Sequence, residues 1–178
     1  MKRNGLGQIK NAISISDRRS KIVRSPAVGK GDLIGGSRHS YIATLVERHS
    51  RYVMLVKVAN KDTESVVSAL IKQSLRLPGE LYRSLTWDRG KELADHQRLT
   101  LATEVEVYFC DPRSPWQRGL NENTNRLLRQ YLPRGTDLSL HSQAKLSAIA
   151  RQLNERPRKT LLYQTPAEKF AECVAAIG

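Results

Sequence analysis

The chain has 178 residues, of which 39% are hydrophobic and 26% charged, a composition typical of one soluble domain with one sizeable core. Its net charge of +13 predicts a polyanionic partner, most often nucleic acid. No apolar run approaches a membrane span, the N-terminus lacks the apolar core of a signal peptide, and Cys110 and Cys173 lack zinc-site spacing. We therefore expect a cytoplasmic protein with free thiols.

The basic residues are concentrated at the N-terminus. The first thirty residues hold eight Lys or Arg and a single acid, Asp17, which gives them more than half of the net charge. This composition predicts a flexible basic arm, which we bound at 1–25, followed by one folded domain at 26–178.

Three strands are predicted within 31–60. The first carries Asp32, and the next two are "YIATLVER" (41–48) and "RYVMLVKV" (51–58), both rich in β-branched and aromatic residues. Because both faces of this hairpin are apolar, we expect it to be buried on both sides.

Helices and strands alternate after the hairpin. Helices are predicted at 61–77, 89–104, 119–131, 141–154 and 165–176, and strands at 82–88 and 105–111. Three antiparallel strands followed by alternating helices and strands predict an α/β fold, with a five-stranded mixed sheet and helices on both faces.

The segment 113–135 holds five arginines and one acid, Glu122. On a helix turning about 100° per residue, the side facing the core would carry Leu120, Thr124, Leu127, Leu128 and Tyr131. The opposite, open face would carry Glu122, Asn125, Arg126 and Arg129. An ordinary ion pair between Glu122 and Arg126, four residues apart, would explain their proximity, but not the surrounding Asn and Pro residues.

Three acids complete the pattern: Asp32 on the first strand, Asp88 after the fourth, and Glu122 on a later helix. Either aspartate alone is commonly a turn former or a helix cap. Together their order resembles the ribonuclease H-like fold of retroviral integrases and DDE transposases. The stretches "GDLIGG", "LTWDRGKELADH", "CDPRSPWQRGLNENTNRLLRQYLPRGTDLS" and "LNERPRKTLLYQTPAEKF" resemble the thirty-type family of bacterial insertion-sequence transposases. The resemblance runs from about Ile15 to Phe170.

The resemblance implies that 26–178 is an integrase-type catalytic domain, with Asp32, Asp88 and Glu122 as catalytic residues and as ligands of two Mg²⁺ or Mn²⁺ ions. Such hard ions prefer carboxylate oxygens, and two of them about 3.5–4 Å apart can activate a nucleophile and stabilise a leaving oxyanion. The implied activity is cleavage of double-stranded DNA at the element ends, then strand transfer into target DNA. The implied setting is a homo-oligomer associated with the bacterial nucleoid.

Five residues near the acids are expected to contact DNA phosphates without reading sequence: Lys91, Arg118, Asn125, Arg126 and Arg129. Trp116 would either stack on a displaced base or pack within its loop.

Three further residues have open roles. His96 matches a histidine common in the family, but an ordinary buried or surface histidine is favoured over a ligand. Asn154 and Arg156 are either structural caps or DNA contacts.

The chain departs from the family in two places. Before the first acid the family pattern is Pro-Gly-His-Trp-Glu-Gly-Asp, whereas this chain has "PAVGKGD" (26–32), which predicts a weaker strand. No helix-turn-helix is visible in 1–30, so an N-terminally truncated transposase is expected. The alternatives are a non-catalytic remnant that binds DNA without sequence preference and a structure-selective nuclease of the same fold.

Overall fold

The structure, a computed structural model, describes residues 9–17, 28–77 and 82–177. The strands in these ranges are β1 (Ile13–Ser14), β2 (Val28–Gly35), β3 (Tyr41–Glu47), β4 (Val53–Val58), β5 (Ser84–Trp87) and β6 (Glu106–Phe109). The α-helices are α1 (Thr63–Ser74), α2 (His96–Thr103), α3 (Gly119–Leu128), α4 (Gln143–Asn154) and α5 (Pro166–Ile177). Short 3₁₀ helices lie at Ile15–Asp17, Lys91–Leu93, Pro115–Arg118, Leu138–Leu140 and Lys159–Leu161.

The strands form one mixed sheet in the order β1-β6-β5-β2-β3-β4. Strands β2, β3 and β4 are antiparallel neighbours, whereas the β2–β5, β5–β6 and β6–β1 pairs are parallel. The predicted ribonuclease H-like α/β fold is therefore confirmed. The sheet has six strands, not the five predicted, because Ile13 and Ser14 pair with the outer edge of β6.

That short strand lies inside the predicted basic arm. Residues 13–17 form β1 and a 3₁₀ turn, and His96 Nε2 lies 3.1 Å from the carbonyl oxygen of Lys10. A flexible arm is therefore the wrong description of this part, because backbone pairing holds it against the sheet. The rest of the predicted arm, 1–8 and 18–25, lies outside the described residues.

Both faces of the sheet are covered. On one face α1 packs on β4 and α2 packs on β6 and on α1, and Trp87 and Phe109 are fully buried in the core on this face. On the other face α3 and α4 pack through Leu128, Leu146 and Leu153. Every residue of β3 after its first is buried, which confirms the prediction of a hairpin buried on both sides.

Strand β2 is longer than the sequence predicted. It pairs with β3 from Gly29 to Gly35 and with β5 at its start, so it lies inside the sheet. A Cβ placed on Gly31 would collide with the ring of Trp87. Gly31 has a low strand propensity, but its lack of a side chain lets Trp87 pack directly against β2. The burial of Trp87 offsets the cost of a glycine in the strand.

Strand β4 is an edge strand whose outward backbone groups are bonded to side chains of α4. Asn154 accepts from the Val53 N–H at 2.8 Å and donates to the Val53 carbonyl at 2.9 Å. Gln143, at the other end of α4, accepts from the Lys57 N–H and donates to the Leu55 carbonyl. One helix therefore bonds this edge at two points.

Four helices are shorter than predicted: α1 spans Thr63–Ser74 within the predicted 61–77, α4 begins at Gln143, and two others differ more in their course. The helix expected at 89–104 is split into the 3₁₀ turn Lys91–Leu93 and α2, because Asp95 between them has a non-helical backbone (φ −93°, ψ 43°). The helix expected at 119–131 ends at Leu128, and the chain continues in turns before Pro133. Within the described ranges, none of the helices combines the length and apolarity needed to cross a membrane.

Candidate active site

Asp32 and Asp88 lie side by side because of the register between β2 and β5. These parallel strands align Lys30 with Thr86. Asp32 and Asp88 each follow by two residues, so they lie at the same level and on the same face of neighbouring strands. Ile34, two residues beyond Asp32, belongs to the core beneath α3 and α4, so this is the face that α3 covers.

Asp32 is partly enclosed by α3. Its Oδ1 accepts from the Leu33 N–H at 2.8 Å, and its Oδ2 accepts from Asn125 Nδ2 at 2.8 Å. Burial raises the pKa of Asp32 above its usual value, and the nearby charges of Asp88 and Glu92 raise it further, against the lowering effect of the two hydrogen bonds. The carboxyl therefore holds its proton more tightly than an exposed aspartate.

Asp88 is held by two donors from its own neighbourhood. Its Oδ1 accepts from the Arg89 N–H at 2.7 Å, and its Oδ2 accepts from Arg118 Nη1 at 3.0 Å. The Asp88 and Arg118 side chains are 41% and 43% exposed, so this ion pair faces solvent and is open to competition from other ions.

Glu122 lies apart from the two aspartates, on the exposed side of α3. It borders a groove of about 520 Å³, here called the arginine groove, lined by Leu33, Ile34, Gly35, Glu122, Asn125, Arg126, Arg129 and Arg134. Of the described ion pairs, none includes Glu122 or any of these three arginines, so the alternative of an ordinary Glu122–Arg126 ion pair is not supported. Burial and the neighbouring Arg134 lower the pKa of Arg129. The groove is thus a site of excess positive charge.

A divalent cation at this site would need several oxygen ligands around one point. Over the described ranges, no three His, Cys, Asp or Glu side chains converge closely enough to hold one ion. The donor chemistry nevertheless fits: the aligned carboxylates of Asp32 and Asp88 are hard oxygen ligands. The Oδ1 of Asn125, on the amide that bonds Asp32, is buried with no hydrogen-bond partner among the described residues, and it adds an oxygen of the same type.

The five residues predicted to contact DNA are not all on one open surface. Lys91 and Arg126 are exposed, and Arg118 is paired with Asp88. Arg129 donates to the carbonyl oxygens of Leu132 and Gly35 at 3.3 and 3.4 Å. Asn125 lines the arginine groove with Arg126 and Arg129, and its amide also turns toward β2, because α3 lies close enough to the sheet for it to reach Asp32.

The structure shows the surroundings of the residues whose roles the sequence left open. Trp116 is 75% exposed, so it is not a packed loop aromatic. His96 is buried, with its ring edge against Phe109, and has a structural role. Asn154 caps the β4 edge, and Arg156 donates to Tyr131 and Gln130 and lies over the Tyr131 ring, so the contacts of both are structural.

Sequence reasoning missed Asn121. It is 6% exposed, one turn before Asn125, and its Nδ2 donates to the carbonyl oxygen of Gly31 at 3.0 Å. The two amides therefore fasten α3 to β2 at consecutive residues, Gly31 and Asp32. The available signal was two asparagines four residues apart at the margin of an otherwise apolar helix face.

Comparisons with known proteins agree on one family. The family model described as integrase core domain matches residues 14–115, a range that includes Asp32 and Asp88 and ends before Glu122. The chain is 51% identical over 173 residues to the transposase InsI for insertion sequence element IS30A of Escherichia coli (strain K12), covering 96% of this chain and 45% of that protein. It is 48% identical over 172 residues to the transposase for element IS1086 of Cupriavidus metallidurans, covering 95% and 51%.

A more distant relative is the transposase for element IS4351 of Bacteroides fragilis. The identity is 35% over 176 residues, covering 97% of this chain and 54% of the relative. The chain thus spans about half the length of the curated relatives it matches.

Proposed function

The chain belongs to the integrase core domain family, as its resemblance to insertion-sequence transposases of the thirty type predicted, and on that basis we propose that it is a transposase catalytic core that cuts and joins DNA. Residues 26–178, together with the segment 9–17 that pairs with β6, would form the catalytic domain. In the first reaction, water attacks a phosphodiester at the element end, and the broken bond leaves a 3′-hydroxyl. In the second, that hydroxyl attacks a phosphodiester of target DNA: a new phosphodiester bond joins the strands as the target's own P–O3′ bond breaks, and the target strand's 3′-oxygen leaves as a hydroxyl.

The alignment of Asp32 and Asp88 carries this proposal. Two carboxylates on neighbouring strands repel each other, and a fold gains no stability from that arrangement. Burial, and to a smaller extent the charge of Asp88, raises the pKa of Asp32, so keeping both carboxylates ionised at this position costs stability. Costly charge pairs of this kind are typical of functional sites, since a positively charged partner relieves the repulsion.

Mg²⁺ or Mn²⁺, when bound, would supply Lewis-acid stabilisation of the phosphoryl oxygens and activation of the nucleophile. Asp32 and Asp88 would hold an ion through their carboxylate oxygens. Two ions would be held when Glu122 contributes its carboxylate as well. Asn125 would orient the Asp32 carboxylate through its Nδ2 donor. Glu122 would join them from the bordering helix, and its freedom from an ion pair in the described residues suits that role.

Double-stranded DNA, both element ends and target, is the proposed partner. Arg126, Arg129 and Arg134 present unneutralised charge along the arginine groove beside Glu122, which suits a phosphate backbone. Lys91 and Arg118 would add contacts nearer Asp88, with Arg118 exchanging its carboxylate partner for a phosphate. We also propose that the active form is a homo-oligomer on the bacterial nucleoid.

A nicking assay tests the proposal. Supercoiled plasmid is incubated with the protein in Mn²⁺ or Mg²⁺, and the parent is compared with Asp88→Asn. The matched control is Asp95→Asn, which removes the same charge from an exposed aspartate without a side-chain capping bond. We expect metal-dependent nicking by the parent and the control, and none by Asp88→Asn. Equal nicking by Asp88→Asn would mean that the assigned site is wrong.

A non-catalytic DNA-binding remnant is the second candidate, favoured by one observation: the three acids do not converge among the described residues. A remnant would bind DNA in a salt-sensitive way without taking up metal. Calorimetric titration of Mn²⁺ into the protein–DNA complex separates the two candidates. Uptake that is lost in Asp88→Asn supports the enzyme, and the absence of uptake by the parent supports the remnant.

A further inference from the structure

The carboxylate of Asp111 joins two separate parts of the chain next to the candidate active site. It accepts hydrogen bonds from the hydroxyls of Ser14 and Ser16, in and just after β1. It also accepts from Gln117 Nε2 at 2.8 Å. These four residues are here called the Asp111 cluster.

Within the cluster, Asp111 and Gln117 close a loop. Gln117 Oε1 accepts from the Asp111 N–H at 2.7 Å, so the two residues are bonded in both directions. Between them lies the 3₁₀ turn that presents the exposed Trp116, and Arg118 follows at once. Lys30 Nζ donates to the Gln117 carbonyl oxygen at 2.6 Å, which fastens the same loop to β2.

The segment that carries Ser14 and Ser16 is also held in place. The segment 9–17 is held by the β1–β6 pairing and by the contact of His96 with the Lys10 carbonyl oxygen. The donors Ser14, Ser16 and Gln117, in that order of effect, lower the pKa of Asp111 to about 2. The carboxylate therefore stays ionised, and so able to accept all three bonds, throughout the pH range of a DNA reaction.

We propose that Asp111 is a positioning residue: it ties segment 13–16 to the loop 112–118, so that Arg118 is held at Asp88 and Trp116 at the rim of the site. Asp111 itself touches no reacting atom. This inference rests on the proposed function, since the loop matters for catalysis only if Asp88 does. It implies that movement of the N-terminal segment changes the reaction rate through the loop.

The test uses the full chain with two sets of substitutions. Ser14→Ala/Ser16→Ala removes the N-terminal donors and leaves the Asp111–Gln117 bonds, and Asp111→Ala removes all three bonds to the carboxylate. Ser14→Thr/Ser16→Thr keeps both hydroxyls and is the rescue variant. Asp62→Ala is the matched control, because Asp62 also accepts from a serine hydroxyl and a backbone N–H, at the start of α1.

Two readouts are measured. Hydrogen exchange of residues 113–118 is followed without DNA or metal, and the single-turnover nicking rate is followed with saturating DNA. For Ser14→Ala/Ser16→Ala we expect exchange about tenfold faster and nicking about tenfold slower, with the Kd for a DNA duplex unchanged within about twofold. Asp111→Ala should show larger changes in the same directions, and the Thr variant and Asp62→Ala should match the parent.

The outcomes separate this inference from the proposed function. Unchanged exchange in both alanine variants would overturn the link between segment and loop. Faster exchange with an unchanged nicking rate would overturn the positioning role. If the parent does not nick DNA but exchange accelerates as expected, the proposed function fails and the physical link stands.

Discussion

Replacement of Arg118 by alanine should strengthen metal binding in the absence of DNA. The Arg118 guanidinium donates to Asp88 Oδ2 at 3.0 Å, so it occupies an oxygen proposed as a metal ligand. A divalent cation has to displace it, and Arg118→Ala removes that competitor together with one repelling charge.

The solvent exposure of the Arg118–Asp88 ion pair sets the expected size of the change in metal affinity. With side chains 43% and 41% exposed, the pair belongs to the class of solvated ion pairs. Such pairs contribute about 0.2–1 kcal/mol, which corresponds to a decrease in the Mn²⁺ dissociation constant of about 1.4- to 5-fold. Higher salt should reduce the effect, because a solvated pair is screened.

The assay is the electron paramagnetic resonance signal of free Mn²⁺, which falls as the ion binds and can follow weak affinities. Arg126→Ala is the control, because it removes the same charge from the exposed side of α3, where the described structure shows no ion pair. Arg118→Ala should bind Mn²⁺ more tightly than this control. Equal or weaker binding would refute the idea that Arg118 competes for Asp88.

Three further outcomes are expected. Asp32→Asn should raise the melting temperature of the metal-free protein at pH 7. Because the folded-state pKa of Asp32 is raised, the parent loses stability as the pH rises above about 3.8, so the stability gained by Asp32→Asn should shrink as the pH is lowered toward 3.8. A gain that does not depend on pH would contradict this. Asn154→Ala should lower the free energy of unfolding in urea by about 1–3 kcal/mol, because the buried N–H and carbonyl of Val53 lose their partners, whereas the exposed Gln152→Ala should change it by less than about 0.5 kcal/mol. Trp116→Ala should leave the melting temperature unchanged, because the side chain is exposed. If the ring stacks on a free base, fluorescence anisotropy should show binding of DNA with an unpaired end weakened by about 1–3 kcal/mol, and binding of a blunt duplex unchanged.

The order of strands and helices was readable from the sequence because period-two and helical apolar patterns are local properties. The two-sided burial of β3 followed from its continuous apolar run. Strand β1 was missed because two residues carry no pattern, and its pairing depends on the exposed edge of β6. The strength of β2 was underestimated because the reason for Gly31, the ring of Trp87, lies 56 positions away in the sequence.

The candidate site was predictable in part. The acids were found through family resemblance, and the β2–β5 register supplies the physical reason that two of them lie together. The bond from Asn125 to Asp32 was not predictable, because Asn125 lies at the border of the helix faces and the distance between α3 and β2 decides which groups its amide reaches. The pairing of Arg118 with Asp88 was equally unreadable, since several arginines of one segment were candidates and only the loop geometry selects one.

The amide side chains of α4 along β4 have a consequence for crowding. On the proposed function, a chain with net charge +13 would accumulate on DNA, where its local concentration would exceed that in bulk solution. An open strand edge would then add strands from neighbouring copies and polymerise. Asn154 and Gln143 occupy the N–H and carbonyl of Val53, the carbonyl of Leu55 and the N–H of Lys57. A strand from a neighbouring copy would have to displace these bonds before it could extend the sheet at this edge.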